Sequence, residues 1–227
     1  LSPVTDRSPF SLHPEEWVTQ RDSHDNQTAY FKYAGRLLLP DCFVSHDLGI
    51  YWVPGQMQTP SIGPDNFISR RKPRVEDPKV WLTYEDGPLA LVIEVASDAT
   101  RGNEEVKRKT YAQVLAVPEY VYVDREASEL RLGRLVDGVY EWVSPDAEGR
   151  LWSELFRSGF VWDEGEQFVR VVAPDGTSGA TPLEEAARRE DAERREQEAE
   201  ARAARAARQA VREAARAEQE AARAQQE

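Results

Sequence analysis

The chain of 227 residues is 40% hydrophobic and holds six tryptophans, enough for one medium domain with a real core plus an extension. Its formal net charge of −12 argues against a protein that coats nucleic acid nonspecifically, although a local phosphodiester site is compatible with it. No apolar run approaches the roughly 20 residues of a membrane span, the first residues lack a signal-peptide pattern, and the single cysteine, Cys42, excludes a disulfide framework or cysteine-based zinc site. A soluble protein of the reducing cytoplasm is expected. Residues 1–23 read as a lead-in. The segment 24–40 reads as a helix, with Tyr30, Tyr33, Ala34, Leu37 and Leu38 at three- and four-residue steps, Asp25 or Asn26 as its cap and Pro40 as its end. Strands follow at 43–54, 64–69 and 88–97. A helix over 103–117 stops before Pro118, and strands are expected at 119–124, 129–136 and 139–143, with more strand near Phe160–Trp162 and Phe168–Val172. The expected fold is α/β, a mixed sheet flanked by helices.

Composition changes sharply after residue 175. Residues 176–182 read as a linker, and 183–227 are almost wholly Ala, Arg, Glu and Gln, a helix-forming composition that can start at Thr181 and Pro182. Leu183 and Val211 are the large apolar residues of this tail. A tight leucine-type coiled coil is therefore unsupported. A solvated, charge-laced helix is the first reading, and a weak alanine-lined coiled coil that joins subunits of a homo-oligomer is the alternative.

The strand "LALVIEVAS" at 89–97 poses a chemical problem. An apolar run of this kind suits a strand covered on both faces, yet it contains Glu94. A buried carboxylate needs a cation, a metal, a hydrogen-bond donor or a proton. Asn103, Lys107 and Tyr111 are spaced four apart and so share one face of the following helix, while Val106, Thr110 and Val114 supply its buried stripe. Lys107 at the edge of that stripe can reach Glu94. Asp65 opens the 64–69 strand. Two acids that converge at strand ends can bind a hard divalent cation, because magnesium keeps several waters and needs only one or two protein carboxylates. A lysine beside such an ion can orient or deprotonate a water and balance phosphoryl charge.

The combination of "GPDNFIS", "LALVIEVASDAT" and "NEEVKRKTYAQVLAVPEYVYVD" resembles the Uma-two family of the PD-(D/E)xK nuclease superfamily, over roughly residues 24–175. The resemblance implies a restriction-endonuclease-like domain and a magnesium- or manganese-dependent site that hydrolyses phosphodiesters. It would make Asp65 and Glu94 metal ligands, with the Val95 main-chain carbonyl as a further one, and Lys107 the catalytic lysine. Ser97, Asn103 and Tyr111 would support them. The usual lysine position two residues after the glutamate is Ala96. Asn103 stands where relatives commonly carry aspartate, and Ala116 where glycine is frequent.

Plainer readings stand beside these. A structural Glu94–Lys107 ion pair solves the same burial problem without a metal. Asp65 after a proline can be a turn residue, and Asn103 a helix N-cap. Arg70, Arg71, Lys72 and Arg74 in "SRRKPR" are candidate phosphate-backbone contacts, or a solvated loop. His13, His24 and His46 show no ligand spacing and read as surface or internally satisfied side chains. Two functions result: a metal-dependent endonuclease acting on nucleic acid, DNA first, or a catalytically weak nuclease-fold module that assembles through its tail.

Overall fold

The computed structural model describes residues 14–55, 61–97, 101–179 and 182–224. In chain order the elements are α1 (Pro14–Leu38), β1 (Phe43–His46), β2 (Gly49–Tyr51), β3 (Ser61–Ile62), β4 (Asn66–Ser69), β5 (Val80–Leu82), the single turn α2 (Thr83–Asp86) and β6 (Leu91–Val95). After them come α3 (Glu104–Lys109), β7 (Glu119–Asp124), β8 (Glu129–Val136), β9 (Val139–Trp142), β10 (Leu151–Ser153), β11 (Ser158–Asp163), β12 (Phe168–Val172) and α4 (Pro182–Ala224). By internal contacts the chain divides into two units, Leu1–Gly179 and Ala180–Glu227.

The first unit is built on a six-stranded mixed sheet in the order β1-β4-β6-β7-β8-β9. Only the central pair, β6 and β7, is parallel, and α3 lies in the connection between them. The expected mixed α/β architecture is what the chain adopts. Both faces of the sheet are covered, which is why β6 is buried at every position. Alternation divides that strand. Leu91, Ile93 and Val95 enter a core with Tyr30, Phe31 and Ala34 of α1 and with the sheet β10-β11-β12. Val92 points to the second core, with Tyr111, Tyr120 and Trp81. Glu94 shares that second face by the same period of two.

Several elements differ from expectation for identifiable reasons. The predicted lead-in over 1–23 lies outside the described residues up to 13, and α1 begins at Pro14, so Asp25 and Asn26 lie inside the helix and do not cap it. The buried stripe of α1 is Gln27, Tyr30, Phe31 and Ala34, while Tyr33 and Leu37 are more than half exposed. Gln27 replaces an apolar residue on that face because its amide donates to the Val169 carbonyl and accepts from the Val169 N–H, both at 2.9 Å. The polar group is buried but fully used. The 43–54 segment breaks into β1 and β2 at Asp47, whose φ is 55°. The hairpin of β8 and β9 turns through Asp137 and Gly138, both at positive φ, as a two-residue turn between twisted strands requires.

In α3 the expected stripe is reversed. Val106 and Val114 are 66% and 54% exposed, whereas Tyr111 and Ala112 are buried. The α-helix is six residues long, and a π-helical turn over Thr110–Val114 follows it. That turn widens the spiral and changes which side chains face inward. The sheet end it covers presents the Glu94 carboxylate, which selects a lysine and a tyrosine over valines.

The second unit contains α4, 43 residues long, or about 64 Å at 1.5 Å per residue. Pro182 at its first position needs no N–H partner. Its described side chains are almost all exposed and are linked by pairs such as Arg195–Asp191 at 3.1 Å and Arg202–Glu198 at 3.2 Å. Its described surface is charge-laced, as the composition leads one to expect. The predicted start at Thr181 lies outside the described residues.

Candidate active site

The antiparallel register of β4 on β6 pairs Asn66 with Ile93, which places Asp65 beside Glu94 at the carboxyl end of β6. Asp65 is tied there by the Val95 N–H, which donates to its Oδ2 at 2.7 Å. Its Oδ1 lies 3.5 Å from His24 Nε2, brought by α1. Burial pushes the Asp65 carboxyl up, but His24 and the Val95 N–H outweigh burial and hold it below the usual carboxylate range. Asp65 in turn raises the His24 imidazole.

Glu94 is 5% exposed. Tyr111 donates its hydroxyl to Oε1 at 2.5 Å, and Lys107 donates from Nζ to Oε2 at 2.6 Å. The same ammonium reaches the carbonyl of Gly63, in the segment that leads into β4, at 3.1 Å. Burial and then the neighbouring Asp65 push Glu94 up to about 7, despite Lys107 and Tyr111. Burial and Glu94 also hold the Tyr111 hydroxyl protonated, well above its ordinary value. A small cavity of about 10 Å³ lies beside Glu94, lined by Glu104, Lys107, Tyr120, Tyr122 and the Val95–Ala96 segment. That is about the room of one water.

The structure thus brings Asp65, Glu94, Lys107, Tyr111 and the Val95 backbone together. The Ser97 carbonyl accepts from the Arg101 N–H at 2.9 Å. Asn103 sits at the N-cap position of α3, but it is exposed and makes no side-chain capping bond. The next residue, Glu104, lines the cavity instead and holds Arg108 at 3.0 Å. The expected shared face of Asn103, Lys107 and Tyr111 fails at Asn103 because residues 101–103 form a tighter 3₁₀ turn.

The basic segment is not at the site. β4 runs away from Asp65, so Arg70–Arg74 lie past its other end, roughly 13 Å or more along the strand. There Lys72 donates to the Pro40 and Cys42 carbonyls at 2.9 and 2.6 Å, and Arg74 pairs with Glu85 and Asp86. The residue that sequence reasoning passed over is His24. Its neighbour Asp65 is 41 positions away, and no ligand spacing along the chain points to it.

Paired acids and a lysine thus stand at the end of the central strand of a mixed α/β sheet. The family described as "Putative restriction endonuclease" (Uma2) matches residues 14–164, more than half of the chain, and the chain belongs to that family. No curated protein matches it. Among solved structures it is similar to "a putative nuclease belonging to DUF820" from Anabaena variabilis, at 13% identity and a TM-score of 0.45, over 59% of this chain and 73% of that one. Among the described residues no group of three or more His, Cys, Asp or Glu converges as for a metal, and no helix is long and apolar enough to cross a membrane.

Proposed function

We propose that the chain is a divalent-metal-dependent endonuclease that hydrolyses nucleic-acid phosphodiesters, DNA first, at the Asp65–Glu94–Lys107 site. The observation that carries this reading is the pair of acids facing each other at one strand end, with Glu94 pushed to about 7 by burial and by Asp65. Repulsion of this kind is relieved by a cation. The donor set fits magnesium or manganese: hard oxygens from Asp65 and Glu94, the Val95 carbonyl as a further candidate, and room for water beside them. Such an ion, when bound, polarises the phosphoryl group and lowers the pKa of its water. The Lys107 ammonium offsets negative charge at the phosphate and orients the attacking water. Tyr111 keeps Glu94 in place through Oε1, and His24 with the Val95 N–H keeps Asp65 in place.

The test is cleavage of plasmid, linear and single-stranded DNA and of RNA, with magnesium or manganese and with EDTA, by folded wild type and variants. Glu94→Ala should lower the rate by on the order of 10³-fold, Lys107→Ala by about 10²-fold or more, and His24→Ala by about 10–100-fold. Equal, EDTA-insensitive cutting by Glu94→Ala would end the proposal. One observation favours the second reading, a catalytically weak module that assembles through its tail: both oxygens of Glu94 already accept protein donors. Under that reading magnesium leaves the melting temperature unchanged and the oligomeric state depends on residues 183–227.

A further inference from the structure

The sheet face that carries Glu94 continues away from the acids as an ordered row. β6 and β7 pair Glu94 with Tyr122, and β7 and β8 pair Tyr122 with Arg131. Arg131 therefore lies two strand spacings from Glu94, ~10 Å across the sheet on the same face. In the adjacent row Tyr120 pairs with Gly133 and Gly133 with Trp142. Gly133 has a physical reason to be glycine, because an added Cβ would meet the Tyr140 Cβ at 2.8 Å and the Trp142 ring at 3.2 Å. Its bare backbone lets the indole lie down on the sheet, where Trp142 remains 40% exposed.

Two guanidinium groups stand over that one indole. Arg131 Cζ is 4.9 Å from the ring centroid and Arg108 Cζ 5.8 Å, and Arg131 also lies 4.9 Å over the Tyr122 ring. Arg108 is the residue after Lys107 on α3. Each arginine is held on one side by a single carboxylate: Arg108 by Glu104 at 3.0 Å and Arg131 by Glu129 at 3.0 Å. A planar fork of five donors held near an aromatic ring by one carboxylate keeps its remaining edge donors available. Both side chains are about a third exposed. Solvated ion pairs would explain either arginine alone. Together, two guanidinium groups at one indole beside the candidate lysine place two sets of phosphate-binding donors in one neighbourhood of the sheet.

We propose that Arg108 and Arg131, laid on Trp142, hold a nucleic-acid phosphate adjacent along the strand to the one cleaved at Glu94 and Lys107. The proposal rests on the nuclease reading, and it moves the backbone contact from the 70–74 segment to the face that carries Glu94. Each arginine then contributes one displaced counterion to binding.

The experiment is fluorescence anisotropy of labelled single-stranded and duplex DNA and of RNA with the full chain in EDTA, across a salt series. Wild type runs beside Arg108→Gln, Arg131→Gln, the double variant, the charge-retaining Arg108→Lys/Arg131→Lys pair, and Arg70→Gln/Arg71→Gln. Each glutamine substitution should weaken binding several-fold, equally across sequences, and reduce the log–log salt slope by about 1, and the double variant by about 2. The lysine pair should restore the slope, and the 70/71 variant should leave it unchanged. A double variant with wild-type affinity and slope, or a wild type that binds no nucleic acid, overturns the proposal. Cleavage in magnesium by the same proteins separates the two claims. Wild-type cutting with unaltered slopes removes this inference alone, and altered slopes without any cutting remove the nuclease reading and leave Arg108 and Arg131 as a backbone contact with no cleaved neighbour.

Discussion

Two glutamates are buried in the central parallel strands to nearly the same extent, Glu94 at 5% and Glu119 at 4% exposure, at opposite ends of the pair. Glu119 opens β7 and, among the described residues, accepts neutral donors: the Ser153 hydroxyl at 2.6 Å, the Glu154 N–H at 2.7 Å and the Leu155 N–H at 3.4 Å. It fastens the β10 segment to the main sheet. Glu94, near the end of β6, faces another carboxylate and is held by an ammonium and a phenol. Equal burial thus serves two purposes. Donors that satisfy a carboxylate completely make it a fastener, whereas a second acid beside it leaves a demand for positive charge. The basic segment 70–74 lies at the Glu119 end, where its lysine closes backbone carbonyls, so counting cations along the chain misplaces the charge that matters.

The contrast can be broken by substitution. Glu119→Ala strands a buried hydroxyl and two N–H groups, and should cost about 3 kcal/mol, or roughly 10 °C in melting temperature. The cleavage rate per folded molecule should stay at the wild-type level. Unchanged melting would remove the distinction between the two acids.

A pH titration of the metal-free protein sharpens it. Glu94 is raised from 4.5 to about 7, so its contribution favours the folded state fully below 4.5 and is lost as pH rises to about 7. His24 is also raised and loses its contribution in the same direction. Asp65 is lowered, so its contribution is lost only on acidification. Stability should therefore fall between pH 4.5 and 7. Glu94→Gln should remove on the order of 2–3 kcal/mol of that fall, and magnesium should reverse it at pH 8. A Glu94→Gln profile parallel to wild type would rule this out.

The smallest effect lies in the connection between the two ends. Ala116 follows the π-helical turn with φ of 47°, a left-handed conformation that costs a residue with a Cβ about 1 kcal/mol. Ala116→Gly should stabilise the chain by about 0.5 kcal/mol, read by urea denaturation. A loss of stability would show that the entropy of glycine outweighs the relieved strain.

Much of this was legible in the sequence. Alternation and apolar runs fixed β6, β7, β8 and β9, because strand period and two-sided burial are local properties. The chemical need of Glu94 for a donor, and the reach of Lys107, followed from burial and helical spacing, whereas Tyr111 entered only as a support that the resemblance implied. The tail followed from composition. Other features depended on contacts between distant segments. The placement of His24 against Asp65 requires α1 to dock on the sheet, and the β4–β6 register decides which end of β4 faces Glu94. The burial of Tyr111 and not of Val106 requires the polar end of β6 to be in place beneath α3. Local pattern sets which residues can be buried and which buried groups need partners. Only the packed sheet decides which partners arrive, because register and docking are set by the summed burial of both faces.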